Sequence, residues 1–178
     1  MQDISMHILD IVENSIRAKA TVIQIHIKED REENLFSFTV TDNGKGMSPA
    51  LLKEVKNPFT TSRTTRKVGL GIPMLNQTCQ MCGGTLEIES KEQAGTRLTA
   101  SMELNHIDRP PLGDISSTIY ILIISNPWID FHFTYQNKEI FVFDTIKIKE
   151  ALDGVPITEP EISRWIKEAL QEGIKSAA

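Results

Sequence analysis

Apolar and polar positions along the chain follow two periods, and their alternation predicts the elements. Placed on a helix at about 100° per residue, the stretch from Asp3 to Ala20 separates into two faces. Asp3, His7, Asp10, Asn14 and Arg17 form a narrow polar stripe opposite Ile4, Ile8, Leu9, Ile11, Val12 and Ile16. Such a helix packs its apolar side on a core and turns the other outward. From Thr21 to Glu29 the period changes to two, with Ile23, Ile25 and Ile27 alternating with Gln24, His26 and Lys28, the mark of a half-buried strand. A charged turn over 29–34 leads to a second strand, Leu35 to Val40, so the pair reads as a hairpin. His26 reads as an outward-facing strand residue.

Ser48 as N-cap with Pro49 at the first position predicts a short helix through about Val55. A polar stretch from Asn57 to Lys67 precedes a helix from about Ile72 to Cys82, which Gly83-Gly84 ends. Strands follow over Thr85–Ser90 and Thr96–Glu103. The pattern breaks at 105–113, where a boundary is expected between one unit over 1–105 and a C-terminal extension over 114–178. Within the extension, Asp114 could cap a helix reaching Ser125, although Ile119-Tyr120-Ile121-Leu122-Ile123-Ile124 also suits a buried strand. Strands are expected over Ile129–Tyr135 and Glu139–Asp144. Thr158-Glu159-Pro160-Glu161 reads as a capping box opening a helix with Ile162, Trp165, Ile166, Ala169 and Leu170 on its core face.

Composition narrows the classes. The 178 residues are 40% hydrophobic and 24% charged, enough for a sizeable core. A net charge of −5 argues against non-specific nucleic-acid binding, which relies on Lys and Arg to neutralise phosphates. No apolar run has the length of a membrane span and no signal segment opens the chain, so a cytoplasmic location is the default. The only cysteines, Cys79 and Cys82, make a single C-x-x-C at the end of a helix, where the dipole disfavours a thiolate. They read as buried thiols.

Candidate chemistry concentrates in the first hundred residues. Asp10 and Asn14, one turn apart, can direct a carboxylate and an amide at one ligand. Asp42-Asn43-Gly44-Lys45-Gly46 suits a plain turn, and also a site where a carboxylate accepts from the exocyclic amine of adenine while Gly44 and Gly46 let backbone approach the base. Thr60, Thr61, Arg63, Arg66 and Lys67 could form a surface loop or a lid closing over phosphates. Gly69-Leu70-Gly71 ahead of a helix suits an anion. It matches neither a Walker A loop nor a Rossmann fingerprint.

In order, these segments resemble the ATP-binding superfamily that unites DNA gyrase B subunits, heat-shock chaperones, histidine kinases and MutL-type mismatch-repair proteins. Val12-Glu13-Asn14-Ser15 with Ala18-Lys19-Ala20-Thr21 is similar to the asparagine box, and Asp42 to Gly46 to the first glycine box. Asn57-Pro58-Phe59-Thr60-Thr61 followed by Gly69-Leu70-Gly71 is similar to the phenylalanine and second glycine boxes of the kinases, and Gly95-Thr96 to the last box. The resemblance spans roughly residues 3 to 104. It implies an α+β fold, a two-layer α/β sandwich of the Bergerat type on a mixed sheet, with 114–178 as a small α/β appendage.

It also implies ATP and Mg²⁺ as cofactors. Asn14 would supply an amide oxygen to the metal, Asp42 would face adenine, and Thr96 would support that contact. Gly69 and Gly71 would line the phosphates, with Lys67, Arg63 and Arg66 as lid cations. Two positions depart from the pattern. Asp10 stands where hydrolytic members place a Glu, one methylene longer, and Lys67 stands where many kinases have a glycine, implying a stiffer or more strongly charged lid. Three roles follow: a histidine-kinase-like phosphotransferase acting on a partner protein, which is favoured; an ATP-hydrolysing switch of the MutL or gyrase type; or an ATP-sensing subunit without turnover. A protein partner or phosphoacceptor is expected, no nucleic acid or membrane, and oligomerisation is left open.

Overall fold

The computed structural model describes residues 3–56 and 70–178. Thr60, Thr61, Arg63, Arg66, Lys67 and Gly69 lie outside them. The order is α1 (Ile4–Arg17), β1 (Val22–Asp30), β2 (Leu35–Asp42), α2 (Pro49–Lys56), α3 (Gly71–Met81), β3 (Leu86–Lys91), β4 (Gly95–Glu103), α4 (Ile115–Ser125), β5 (Asp130–Gln136), β6 (Ile140–Asp144), α5 (Thr145–Leu152) and α6 (Pro160–Ala177). The strands form one six-stranded sheet ordered β3-β4-β2-β1-β5-β6. β1 and β5 run parallel, and the other neighbours are antiparallel.

One face of the sheet is apolar because the alternation is kept from strand to strand. Ile23, Ile25, Ile27, Phe36, Phe38, Val40, Leu98, Ala100, Met102, Phe131 and Phe133 are all buried, beneath the helices. The other face carries Gln24, His26, Thr39, Thr41, Arg97, His132 and Thr134, so His26 points outward as expected. This is the expected mixed-sheet, two-layer α+β architecture. The 105–113 connection leads from β4 into α4, and β5 then adds to the free side of β1.

Caps fix the helix starts. Asp3 accepts from the Met6 N–H at 3.0 Å and Asp114 from the Ser117 N–H at 3.0 Å, which decides 115–125 for helix. Ser48 Oγ accepts from the Leu51 N–H at 3.2 Å. The capping box expected at 158–161 does not form. Pro160 takes the first helical position, for which its fixed φ suits it, so Glu159 becomes the N-cap and makes no side-chain cap bond. Trp165, expected in the core, is 53% exposed and only leans on Phe143, with ring centroids 6.3 Å apart. Helix α5 departs from the pattern: Ile146-Lys147-Ile148-Lys149 alternates like a strand, yet Asp144 caps it through the Ile146 N–H at 2.9 Å.

A further correction concerns His7. Its place on the polar stripe predicts exposure, but α1 is packed by α3, α4 and β2, and His7 is 1% exposed. Among the described residues, neither ring nitrogen has a hydrogen-bond partner. Burial pushes the imidazole below its ordinary value, against the opposing pull of Asp10 and Asp3. The unfolded chain therefore takes up a proton near pH 6.5 while the folded one does not, so stability is complete above that pH and falls as pH drops through the window beneath it. His26 is depressed too, by burial, Lys28 and His132, and adds a slope of the same sign. Replacing His7 by Leu is expected to flatten the His7 part of this slope and to stabilise the fold at pH 5 by about 1–2 kcal/mol, the scale of an unpaired buried polar group. Urea unfolding of both proteins at pH 5 and 7.5 checks this, and equal slopes would refute it.

Candidate functional site

The site forms where the end of β2 meets the C-terminal half of α1. β2 and β4 pair with Asp42 opposite Thr96, so a carboxylate and a hydroxyl share one end of the sheet. On α1, Asn14 and Ser15 reach the same place. A cavity of about 300 Å³ opens there, lined by Asn14, Ser15, Arg17, Asp42, Lys45, Gly46 and Thr96, with Ile11, Val40, Met47, Ile72, Ile88 and Leu98 as apolar walls. Apolar walls with a few converging polar groups are the usual make-up of a small-molecule pocket.

Asp42 is held from two sides. One carboxylate oxygen accepts from Ser15 Oγ at 2.6 Å and the other from the Gly44 N–H at 2.8 Å. Each oxygen keeps a lone pair for a ligand donor. Thr96 Oγ1 lies 2.8 Å from Ser90 Oγ, which in turn accepts from the Met47 N–H at 2.9 Å. Asn43 does not face the cavity; its side-chain oxygen accepts from the Thr21 and Val22 N–H groups at 2.9 and 3.0 Å, pinning the 42–47 turn to the start of β1.

Asn14 Oδ1 accepts from Arg17 Nη1 at 3.1 Å, and Arg17 also pairs with Glu13 at 3.2 Å. At the cavity wall the amide oxygen is thus occupied by the Arg17 guanidinium; released from it, it is the kind of oxygen donor a hard ion such as Mg²⁺ requires. Asp10 lies against Gly71, the first residue of α3; a Cβ on Gly71 would stand 3.2 Å from the Asp10 carboxylate. Leu70 is 76% exposed. Asn14, Asp42, Gly46 and Thr96 are thus brought together around the cavity, Gly44 braces Asp42, and Asp10 and Gly71 form a neighbouring pair.

Sequence reasoning missed Ser15 as a site residue. The signal was present: with Ile8, Ile11 and Val12 it occupies the core-facing side of α1, where a hydroxyl needs a partner, and the partner is Asp42. Cys79 and Cys82 are free and buried. Burial pushes the Cys79 thiol up to about 12 and raises Cys82 as well, as expected of unreactive, packed thiols.

The sequence model of the histidine kinase-, DNA gyrase B- and HSP90-like ATPases matches residues 2–106. The chain belongs to this ATPase family. The osmosensing histidine protein kinase SLN1 of Saccharomyces cerevisiae is 33% identical over 86 residues, 46% of this chain and 7% of its own length. Sporulation kinase D of Bacillus subtilis is 28% identical over 98 residues, 55% of this chain and 19% of its own. The chain thus spans less than a fifth of either kinase.

Two solved structures share the fold. The MutL ATPase domain of Aquifex aeolicus, complexed with ADP, aligns with a TM-score of 0.53 at 14% identity, covering 96% of this chain and 70% of that one. The ATP-binding domain of topoisomerase IV from Francisella tularensis gives a TM-score of 0.52 at 16% identity, covering 80% and 87%. Among the described residues, no helix of this family member is long and apolar enough to cross a membrane.

Proposed function

We propose that the chain binds Mg-ATP in the cavity at Asp42 and acts as a histidine-kinase-like phosphotransferase toward a partner protein. The observation that carries the nucleotide reading is the Asp42 carboxylate, fixed by Ser15 and Gly44 at the polar end of an otherwise apolar pocket. A carboxylate accepts from the adenine amine, whereas the guanine carbonyl at the same place would be repelled. Asn14 offers an oxygen to the metal, and Thr96 supports the Asp42 end. Thr60, Thr61, Lys67, Arg63, Arg66 and the glycines 69 and 71 are assigned to the phosphates on their motif positions.

ATP supplies the phosphoryl group. This chain's residues orient it, and the acceptor side chain on the partner is the nucleophile. Such a reaction needs no strong water-activating base, which fits the short Asp10 held against Gly71. The named relatives, an osmosensing kinase and a sporulation kinase, point toward signalling of this kind.

Two measurements test the proposal. Calorimetry with Mg-ADP and Mg-GDP is expected to show binding of the adenine nucleotide and a clear preference over guanine. Incubation with γ-labelled Mg-ATP and co-purifying proteins is expected to place acid-labile label on one of them. Equal affinity for the two bases would end the nucleotide reading. Sound binding with no labelled protein would replace phosphotransfer by nucleotide sensing, and steady phosphate release abolished by Asp10→Asn would replace it by a hydrolytic switch.

A further inference from the structure

Three strands place Ser90, Thr96 and Asp42 in one row across the sheet, Ser90 opposite Thr96 and Thr96 opposite Asp42. Asp42 and Thr96 line the cavity, and Ser90 stands behind them. Its Oγ is crowded with partners. The Met47 N–H donates to it at 2.9 Å, the Gly95 carbonyl oxygen lies 3.0 Å away and Thr96 Oγ1 lies 2.8 Å away.

A hydroxyl carries one proton and two lone pairs. The Met47 N–H takes one lone pair of Ser90, which leaves two arrangements. In one, Ser90 donates to the Gly95 carbonyl and Thr96 donates to the remaining lone pair of Ser90, so three hydrogen bonds form. In the other, Ser90 donates to Thr96, the Gly95 oxygen loses this bond, and the Thr96 proton has no partner among the described residues. Thr96 is half-buried, and a buried donor left unpaired is costly. The first arrangement therefore prevails in the free protein.

The consequence falls on the ligand. With its proton committed to Ser90, Thr96 presents only lone pairs to the cavity, beside the Asp42 carboxylate. Two neighbouring acceptors receive an amine and repel a carbonyl. We infer that Ser90 is a positioning residue for base selection: by taking the Thr96 proton it makes Thr96 a second acceptor for the exocyclic amine of adenine. This rests on the reading of Asp42 as the purine-binding carboxylate and assigns Thr96's share of the selectivity to a residue outside the cavity wall.

Inosine diphosphate is the probe, because hypoxanthine carries a carbonyl where adenine carries its exocyclic amine. Calorimetry on the wild type is expected to show Mg-ADP bound more tightly than Mg-IDP. In Ser90→Ala the Thr96 hydroxyl is released and can donate to the hypoxanthine carbonyl. The ratio of the two dissociation constants should then shrink by about five- to tenfold, roughly the worth of one hydrogen bond. The Met47 N–H also loses its acceptor, but that loosening weakens both nucleotides alike and leaves the ratio unmoved. Ser90→Cys keeps the volume and replaces the oxygen by a weak sulfur acceptor. It should shift the ratio in the same direction, and it replaces the alanine variant if circular dichroism shows that one unfolded. No preference for Mg-ADP in the wild type would end the nucleotide reading itself. A wild-type preference that persists unchanged in a folded variant would leave that reading intact and overturn the role of Ser90.

Discussion

Asp42→Asn is expected to weaken Mg-ADP binding by about a hundredfold, because a hydrogen bond to a charged acceptor is worth about 1.5–3 kcal/mol and tenfold in affinity corresponds to about 1.4 kcal/mol. The direction follows from the two bonds that hold the carboxylate. With the Gly44 N–H claiming an oxygen, an asparagine would keep its carbonyl there and turn its NH₂ toward Ser15, whose hydroxyl can reverse and accept. The fold contacts thus survive, while the face offered to the ligand changes from acceptor to donor. The adenine amine then meets another donor, and the preference over guanine should shrink or reverse. Titration with Mg-ADP and Mg-GDP, beside a circular dichroism control, measures both effects. Unchanged affinity in a folded variant would remove Asp42 from purine recognition.

The second large effect is steric and does not depend on the ligand. Gly95 opens β4 with φ +92°, and a Cβ there would stand 1.9 Å from the Asp42 carbonyl oxygen and 3.0 Å from Asn43 Cα. Backbone cannot swing away as a flexible side chain can. Gly95→Ala is expected to destabilise the protein by about 3 kcal/mol or more, combining a left-handed backbone cost with an unrelieved clash. The β2–β4 pairing that sets Asp42 opposite Thr96 would open at the same time. Gly154 provides the control: it has nearly the same φ, +91°, and among the described residues a methyl group there would meet nothing within 4 Å. Gly154→Ala should therefore cost only about 1–2 kcal/mol for the backbone conformation. Urea midpoints of the two variants separate the clash from the conformation, and similar losses would show that contact with Asp42 contributes nothing.

Local chemistry made much of this fold legible. Ser48 announced a helix start and Asp114 offered another beside the strand reading, and alternation in β1 and β2 showed which face is buried. Patterns that serve two structures were not decisive. Ile146 to Lys149 alternates like a strand but follows the capping Asp144, and His7 shares a stripe with exposed residues although packed helices cover it. Trp165 has helical spacing with Ile162 and Ile166 yet lies over Phe143, at the border of the sheet. The bond from Ser15 to Asp42 joins residues 27 positions apart, and the pairing of β1 with β5 joins segments over a hundred positions apart. No local pattern encodes such partners, because they depend on where the chain returns.

That return has a consequence for synthesis. A nascent chain that has emerged only as far as residue 106 holds every strand from β1 to β4, but Val22–Lys28 still awaits Asp130–Gln136. Until the ribosome delivers β5, the middle of the finished sheet is an open border flanked by Ile23, Ile25 and Ile27, the arrangement that invites mispairing between neighbouring molecules. Closing it brings Tyr135 Oη to the Glu29 carboxylate at 3.0 Å, across 106 positions of chain. Chaperone demand should therefore peak during translation of this interval and subside once Gln136 has cleared the exit tunnel.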